Sequence, residues 1–228
     1  HSFSYWELPP ADDRSTISEK EASGELRRLM TQAVRRRMIS DVPLGLFLSG
    51  GIDSSIVCGL MAGISDKPVE TFSIGFKEAS FDETSYARCV AQAFATHHHE
   101  RILYASECAD ILPDVVSRMD VPMADASVAP TWLLSKVTRE KVTVALGGDG
   151  SDELWAGYEH YIGFTLAQKY RSLPRFLRKG ILEPLCRRLP ASHGYINLNL
   201  AAHNFLCAAA QPAWLRIQAM LTAFTPEM

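Results

Sequence analysis

Val42-Pro43-Leu44-Gly45-Leu46-Phe47-Leu48-Ser49-Gly50-Gly51-Ile52-Asp53-Ser54-Ser55 is the stretch from which the rest of the chain takes its order. Leu44 to Leu48 is a short apolar run of the length and bulk of a buried parallel strand. It stops at Ser49, two glycines allow a sharp turn and a close backbone approach, and Asp53, Ser54 and Ser55 stand where a helix can start. Ile56, Val57, Leu60 and Met61 carry that helix on at helical spacing. A strand, a glycine turn and a helix N-terminus make an anion site, because first-turn N–H groups lack partners within the helix; phosphate is the natural anion. The letters exclude two common phosphate loops, since neither G-x-x-x-x-G-K-[ST] nor G-x-G-x-x-G with a distal acid is present. Taken alone, S-G-G-x-D-S is equally a plain strand-to-helix turn capped by Asp53 or Ser54.

Upstream, Leu26, Leu29, Met30, Ala33, Val34 and Met38 predict a helix over about Ser18 to Ile39. Downstream, Val69 to Phe76 reads as a second strand and Asp82 as a helix cap. Tyr86, Ala87, Val90, Ala91 and Phe94 mark one helix face, and a third strand is expected near His98 to Leu103. Helices over Ser106–Met119 and Pro130–Arg139, broken at Pro122, lead to a fourth strand, Val142 to Leu146. This alternation predicts an α/β fold with a doubly wound parallel sheet, in which ligands bind at the carboxyl ends of the strands. Both glycine-rich turns fall at that edge. From Ile162 to Met228 only helical patterns remain, punctuated by prolines, so a helical C-terminal extension is expected.

The fourth strand runs into Gly147, Gly148, Asp149, Gly150, Ser151, Asp152, Glu153, Leu154, Trp155, Ala156, Gly157 and Tyr158. Three carboxylates within five residues are costly to hold together unless positive charge sits among them. Mg²⁺ carrying ATP phosphates would supply it, since that ion takes carboxylate, water and phosphate oxygens. The structural alternative is a helix start with Asp152 and Glu153 favoured by the dipole.

Composition narrows the class. With 228 residues, 47% hydrophobic and 21% charged, the chain can bury a full core, and its net charge of −3 suggests no polyanion partner. The basic runs Arg35–Arg37 and Arg187–Arg188 are short enough to be solvated helix faces, so no nucleic-acid partner is expected. Five widely spaced cysteines, without zinc spacing, read as reduced thiols in apolar surroundings and suit a cytoplasmic protein. His97, His98 and His99 alternate faces in an extended segment and so cannot converge on one metal unaided. No secretory signal and no apolar run of about eighteen residues is present, so no membrane association is expected. Opening at His1 without an initiator methionine is what a fragment or a tagged chain would show.

S-G-G-I-D-S-S, F-S-I-G-F, F-D-E, H-H-E and G-D-G-S-D-E-L-W-A-G-Y, in this order, resemble the synthetase domain of glutamine-dependent asparagine synthetases. The first of these motifs resembles the pyrophosphate loop shared by the ATP pyrophosphatases. The similarity runs from about Tyr5 to Tyr161, and Y-W-E-L-P resembles the segment that joins the family's two domains. It implies an adenine nucleotide alpha hydrolase-like, Rossmann-like core. On this reading residues 1–15 lead in from a missing N-terminal glutaminase domain, 16–161 form the ATP-pyrophosphatase core, and 162–228 form a truncated helical extension.

The implied chemistry is ATP-dependent amidation of aspartate to asparagine through an acyl-adenylate, with release of AMP and pyrophosphate. Carried over position by position, Ser49, Gly50, Gly51, Asp53, Ser54 and Ser55 would cradle pyrophosphate. Phe47, Leu48, Ile74 and Gly148 would line the adenosine site, while Asp53 and Asp152 would hold Mg²⁺. Asp149 would stand near the acyl-adenylate to orient or deprotonate the incoming amine. The implied partners are aspartate or a similar carboxylate and ammonia from a glutaminase domain, and a homodimer stays open. Gly147 replaces a family serine, so its nucleotide contact would run through the backbone. The N-terminal cysteine nucleophile of the glutaminase domain and the family's later adenylation-site lysine match no residue in these 228. A relative adenylating another carboxylate, of the β-lactam synthetase or sugar-pathway kind, and an inactive nucleotide-binding module remain the alternatives.

Overall fold

The computed structural model describes residues 3–7, 16–121, 123, 125–190 and 198–221, so most of the lead-in segment and Pro122 lie outside the described residues. Helix α1 (Glu19–Arg37) starts one residue later than its apolar pattern suggests, because Ser18 is its cap. Ser18 Oγ accepts from Glu21 N at 3.3 Å and Glu21 Oε2 accepts from Ser18 N at 2.9 Å, a reciprocal capping box. Arg35, Arg36 and Arg37 occupy the last turn, where the helix dipole favours cations.

Four strands, β1 (Leu44–Phe47), β2 (Glu70–Phe76), β3 (His97–Leu103) and β4 (Val144–Leu146), form one sheet of order β3-β2-β1-β4. All three pairings are parallel, with Phe47 beside Phe72, Phe72 beside His99 and Leu46 beside Leu146. Because neighbours in a parallel register share a face, these pairs sort the sheet into two sides. Leu46 and Leu48 face α2 (Ile52–Ile64) and α3 (Thr84–Ala93), packing with Val57, Cys58, Met61, Ala87 and Ala91. On the reverse side Gly45, Phe47 and Phe72 face α5 (Val128–Arg139), and α4 (Ala105–Ser117) is tied to β3 by Arg101 Nη2 to Glu107 Oε1 at 2.7 Å. Gly45 is required there, since a Cβ would lie 2.8 Å from Phe72 Cε2. The chain therefore steps outward from β1 to β3 on one face and crosses back to β4 on the other. The strand order reverses between β1 and β4, which is where α/β sheets open a crevice.

The doubly wound parallel sheet is as expected, while several boundaries differ. β4 is shorter than predicted because Val142 and Thr143 precede the pairing, and α5 begins two residues before Pro130. A proline in the first turn removes no helical hydrogen bond, so Pro130 is no barrier there. Asp82 stands one residue ahead of Glu83, the cap of α3. Cys58 alone is fully buried, and burial pushes its thiol up to about 11; Cys89 and Cys207 are exposed, contrary to the apolar surroundings expected for all five.

From Glu159 onward the described residues are helical: α7 (Glu159–Ser172), α8 (Arg175–Leu177), a π turn at Arg178–Leu182, α9 (Glu183–Arg187), α10 (Leu198–Ala210) and α11 (Ala213–Leu221). Ala167, Ala208 and Ala209 are buried where α7 and α10 pack together. Arg171 and Arg216 donate to Gln211 O at 3.0 and 3.1 Å, satisfying backbone just past the end of α10. No described helix is long and apolar enough to cross a membrane.

The histidine triplet alternates as its extended conformation requires. His98 turns toward Thr71 Oγ1 and Ser73 Oγ, and burial lowers its pKa. His97 Nδ1 and His99 Nε2 flank the Glu70 carboxylate on the opposite face, at 3.0 and 2.6 Å. Burial works to raise the Glu70 carboxyl, and the hydrogen bonds from His99 and His97 outweigh it, holding the group below the ordinary carboxylate value. A depressed folded pKa gives stability that is present above the unfolded value of about 4.3 and is lost as pH falls through the folded value. Urea unfolding of wild type and Glu70→Gln should therefore differ near pH 5, with the gap closing below about pH 4. Leu46 has no exposure. Leu46→Ala should cost roughly 2–5 kcal/mol in the same unfolding measurement.

Candidate active site

Two turns meet at the switch point of the sheet. After β1, Leu48 N still donates to Phe72 O at 2.8 Å, and Gly50 then adopts φ +84°. That conformation suits glycine, and a Cβ at Gly50 would also strike the Tyr86–Ala87 backbone at the start of α3. Gly51 caps α2 with no side-chain hydrogen bond, so the alternative in which Asp53 or Ser54 is the cap does not hold. Asp53 and Ser54 instead belong to the first helical turn. Ser54 and Ser55 donate back to Gly51 O at 3.2 and 2.6 Å, and Ser49 Oγ lies 3.0 Å from Ser54 Oγ while accepting from Gly51 N. The loop is thus held by its own hydroxyls, with Ser54 buried.

The second turn leaves β4 and lies flat against the first. A Cβ at Gly148 would sit 3.1 Å from Ser54 N and 3.2 Å from Asp53 Cβ, so the absence of a side chain there favours the close approach of the two turns. Gly150, with φ +84°, leads into α6 (Ser151–Trp155), a five-residue helix with Asp152 and Glu153 in its first turn. Ala156 is left-handed at φ 54°, Gly157 N donates to Asp152 O at 3.0 Å, and the chain then returns to Tyr158. Tyr158 Oη donates to Glu153 Oε1 at 2.7 Å; this bond pushes the phenol up to about 12 and holds the Glu153 carboxyl low. The Tyr158 ring stacks on His160 with centroids 4.9 Å apart.

These turns wall a cavity of about 690 Å³. Phe47, Leu48, Ser49, Gly51, Asp53, Ser54, Ile74, Gly147, Gly148, Asp149 and Asp152 all line it. Gly50 and Ser55 do not; they face a neighbouring groove between α1 and α2, beside Leu26 and Met30. The cavity also takes in Phe72, Phe76, Phe81, Glu83, Thr84, Thr131, Glu153 and Tyr158, none of which the sequence reading assigned. Part of that signal was available: Phe72, Ile74 and Phe76 alternate along β2 and must share a face. Thr131 carried no comparable mark.

Electrostatically the cavity is one-sided. Asp53, Glu83, Asp149, Asp152 and Glu153 line it, and among the described residues no lysine, arginine or histidine does. No three described His, Cys, Asp or Glu side chains form a ready metal cage. Hard carboxylate oxygens beside a helix N-terminus suit Mg²⁺ that shares its coordination with phosphate and water, for such an ion needs only one or two protein carboxylates. The residues present therefore fit a magnesium–nucleotide complex in their donor chemistry.

Comparison with known proteins adds an independent line. The sequence profile of the asparagine synthase family matches residues 25–224. A relative in Methanocaldococcus jannaschii that carries the name of a glutamine-hydrolyzing asparagine synthetase is 38% identical over 212 residues, 92% of this chain and 40% of its own length. Asparagine synthetase (glutamine-hydrolyzing) 1 of Bacillus subtilis is 35% identical over 159 residues, 70% of this chain and 25% of its own. The chain thus spans two fifths or less of the length of these relatives. Among solved structures, the NMN synthetase of Francisella tularensis aligns with 93% of this chain and all of its own at 16% identity, with a TM-score of 0.43.

Two outcomes test the local geometry. Gly50→Ala should destabilise the fold by more than about 1 kcal/mol in chemical denaturation, since strain at positive φ adds to the clash. Tyr158→Phe removes the hydroxyl that holds Glu153 low, so the Glu153 carboxyl should titrate at higher pH in carbon-detected NMR than it does in wild type.

Proposed function

This chain belongs to the asparagine synthase family, and from that membership we propose that it is the ATP-using synthetase portion of an amide-forming ligase. The substrate we infer is aspartate, its side-chain carboxylate activated by ATP and then amidated by ammonia from a glutaminase domain. The observation that carries the reading is the meeting of the two glycine turns, with Asp53 and Asp152 on one cavity at the switch point of the sheet.

In the proposed first step a carboxylate oxygen of the substrate attacks the α-phosphorus of ATP. The bond from that phosphorus to the bridging oxygen breaks, and the electron pair leaves with pyrophosphate. The first turn of α2 with Ser49, Gly51, Asp53 and Ser54 would receive the departing anion, offering preorganised N–H groups where charge develops. Asp53 and Asp152 would hold Mg²⁺, which when bound offsets the phosphate charge that the acidic lining would otherwise repel. Phe47, Leu48, Ile74 and the backbone of Gly147 and Gly148 would form the adenosine wall. In the second step ammonia attacks the acyl carbon and AMP departs with the electron pair of the broken acyl–oxygen bond. Asp149 would orient the amine and take up the proton that its nitrogen loses. We place the protein in the cytoplasm, with small molecules rather than nucleic acid or membrane as its partners.

Aspartate-dependent exchange of radiolabelled pyrophosphate into ATP by the longer protein containing this chain is the direct test. Exchange with aspartate supports the reading; exchange only with another carboxylic acid, or none, overturns it. Within this chain, Asp53→Asn should weaken Mg·ATP at least about tenfold by calorimetry, about 1.4 kcal/mol, with the unfolding midpoint unchanged. Gly51→Val places a side chain where the phosphate would approach without removing any charge, and should abolish nucleotide binding in a folded protein.

A further inference from the structure

The nucleoside end of the cavity has a support that stands outside it. Phe76, Phe81, Glu83 and Thr84, from the end of β2 and the loop into α3, form one wall, while Asp82 in their midst does not line the cavity. Asp82 faces inward instead. Its Oδ1 accepts from Phe76 N and Thr84 N, both at 3.3 Å, and its Oδ2 accepts from Thr84 Oγ1 at 2.9 Å. Thr84 Oγ1 in turn accepts from Arg88 Nη2 at 2.9 Å, and Arg88 grips Glu100 of β3 through Nε–Oε2 at 2.8 Å and Nη2–Oε1 at 3.2 Å. Thr84 is buried, and a Cβ at Gly75 would strike it, as well as lying 2.9 Å from Asp82 Oδ1. A side chain at position 75 would therefore hold the loop off the strand.

We propose that Asp82 is a positioning residue for nucleotide binding: by tying Phe76 N to Thr84 it sets the wall from Ile74 to Thr84 against which the adenosine rests. Bonds at three points from one carboxylate leave the loop one way to close over β2, and the Arg88–Glu100 pair anchors that arrangement to the edge strand. The pyrophosphate loop has its own hydroxyl supports and takes none of these bonds, so the network acts directly on the nucleoside end alone. The inference rests on the nucleotide reading above, and its test separates the two.

The affinities of AMP and of Mg·pyrophosphate are measured separately by calorimetry on the 228-residue chain. Asp82→Ala should weaken AMP at least about fivefold and Mg·pyrophosphate less than about twofold. Asp82→Asn, which keeps an acceptor for Phe76 N and Thr84 N, should restore most of the AMP affinity. Unchanged AMP affinity in folded Asp82→Ala, or a parallel loss of both ligands, overturns the positioning role. Where Asp82→Ala does not fold, Arg88→Gln cuts the network from outside the cavity; the same split between ligands upholds the role and its absence overturns it. Failure of the wild-type chain to bind AMP overturns the nucleotide reading and this inference with it, whereas wild-type binding that Asp82→Ala leaves intact overturns this inference alone.

Discussion

The approach of Gly148 to the first turn of α2 is the constraint on which the rest of the site depends. A Cβ there would lie 3.1 Å from Ser54 N, so a side chain at that position would press the second turn away from the first. The contact exists because β1 and β4 are neighbours, and they are neighbours because the chain reverses direction across the sheet after β3. A local property of one residue and a global property of the topology therefore meet in one place. If β4 paired elsewhere, Asp149 and Asp152 would leave the cavity that Asp53 lines.

Packing and electrostatics act on that place in opposite senses. Leu46, Leu48, Val57 and Met61 form an apolar support beneath the first turn, and burial of this kind, about 1.5–3 kcal/mol per large side chain, resists displacement. Above the turn five carboxylates share a cavity without a cation among the described residues, which is unfavourable in the absence of a positive ligand.

Legibility in the sequence followed the range of the interactions concerned. The order of strands and helices could be read because apolar strand runs and period-3.6 patterns are local, and Leu44 to Leu48 and Ile56 to Met61 display them. The two glycine turns could be read because their letters are distinctive. The α2 cap could not: Asp53 and Ser54 have the usual capping side chains, yet Gly50 in a left-handed conformation starts the helix earlier. Boundaries at Pro130 and Val142 shifted for a comparable reason, since proline is harmless in a first turn and an apolar residue need not be paired to be buried. The cavity wall from Phe76 to Thr84 was hidden more deeply. Its members are joined by side-chain bonds between a loop, a helix and an edge strand, and no spacing rule encodes them.

That difference in range also separates the mechanical character of the two ends of the cavity. The proposed phosphate end is held by hydrogen bonds within about seven residues, Ser49 to Ser55, over a buried core. The nucleoside end needs β2, the loop, α3 and β3 assembled together, and its outer link, Arg88 with Glu100, is a half-exposed ion pair that salt can screen. A network with a solvent-facing end opens at lower free energy than one packed under leucines. The wall carried by Asp82 and Thr84 is therefore the more easily opened side of the cavity, and the loop at Ser49 to Ser55 the firmer one.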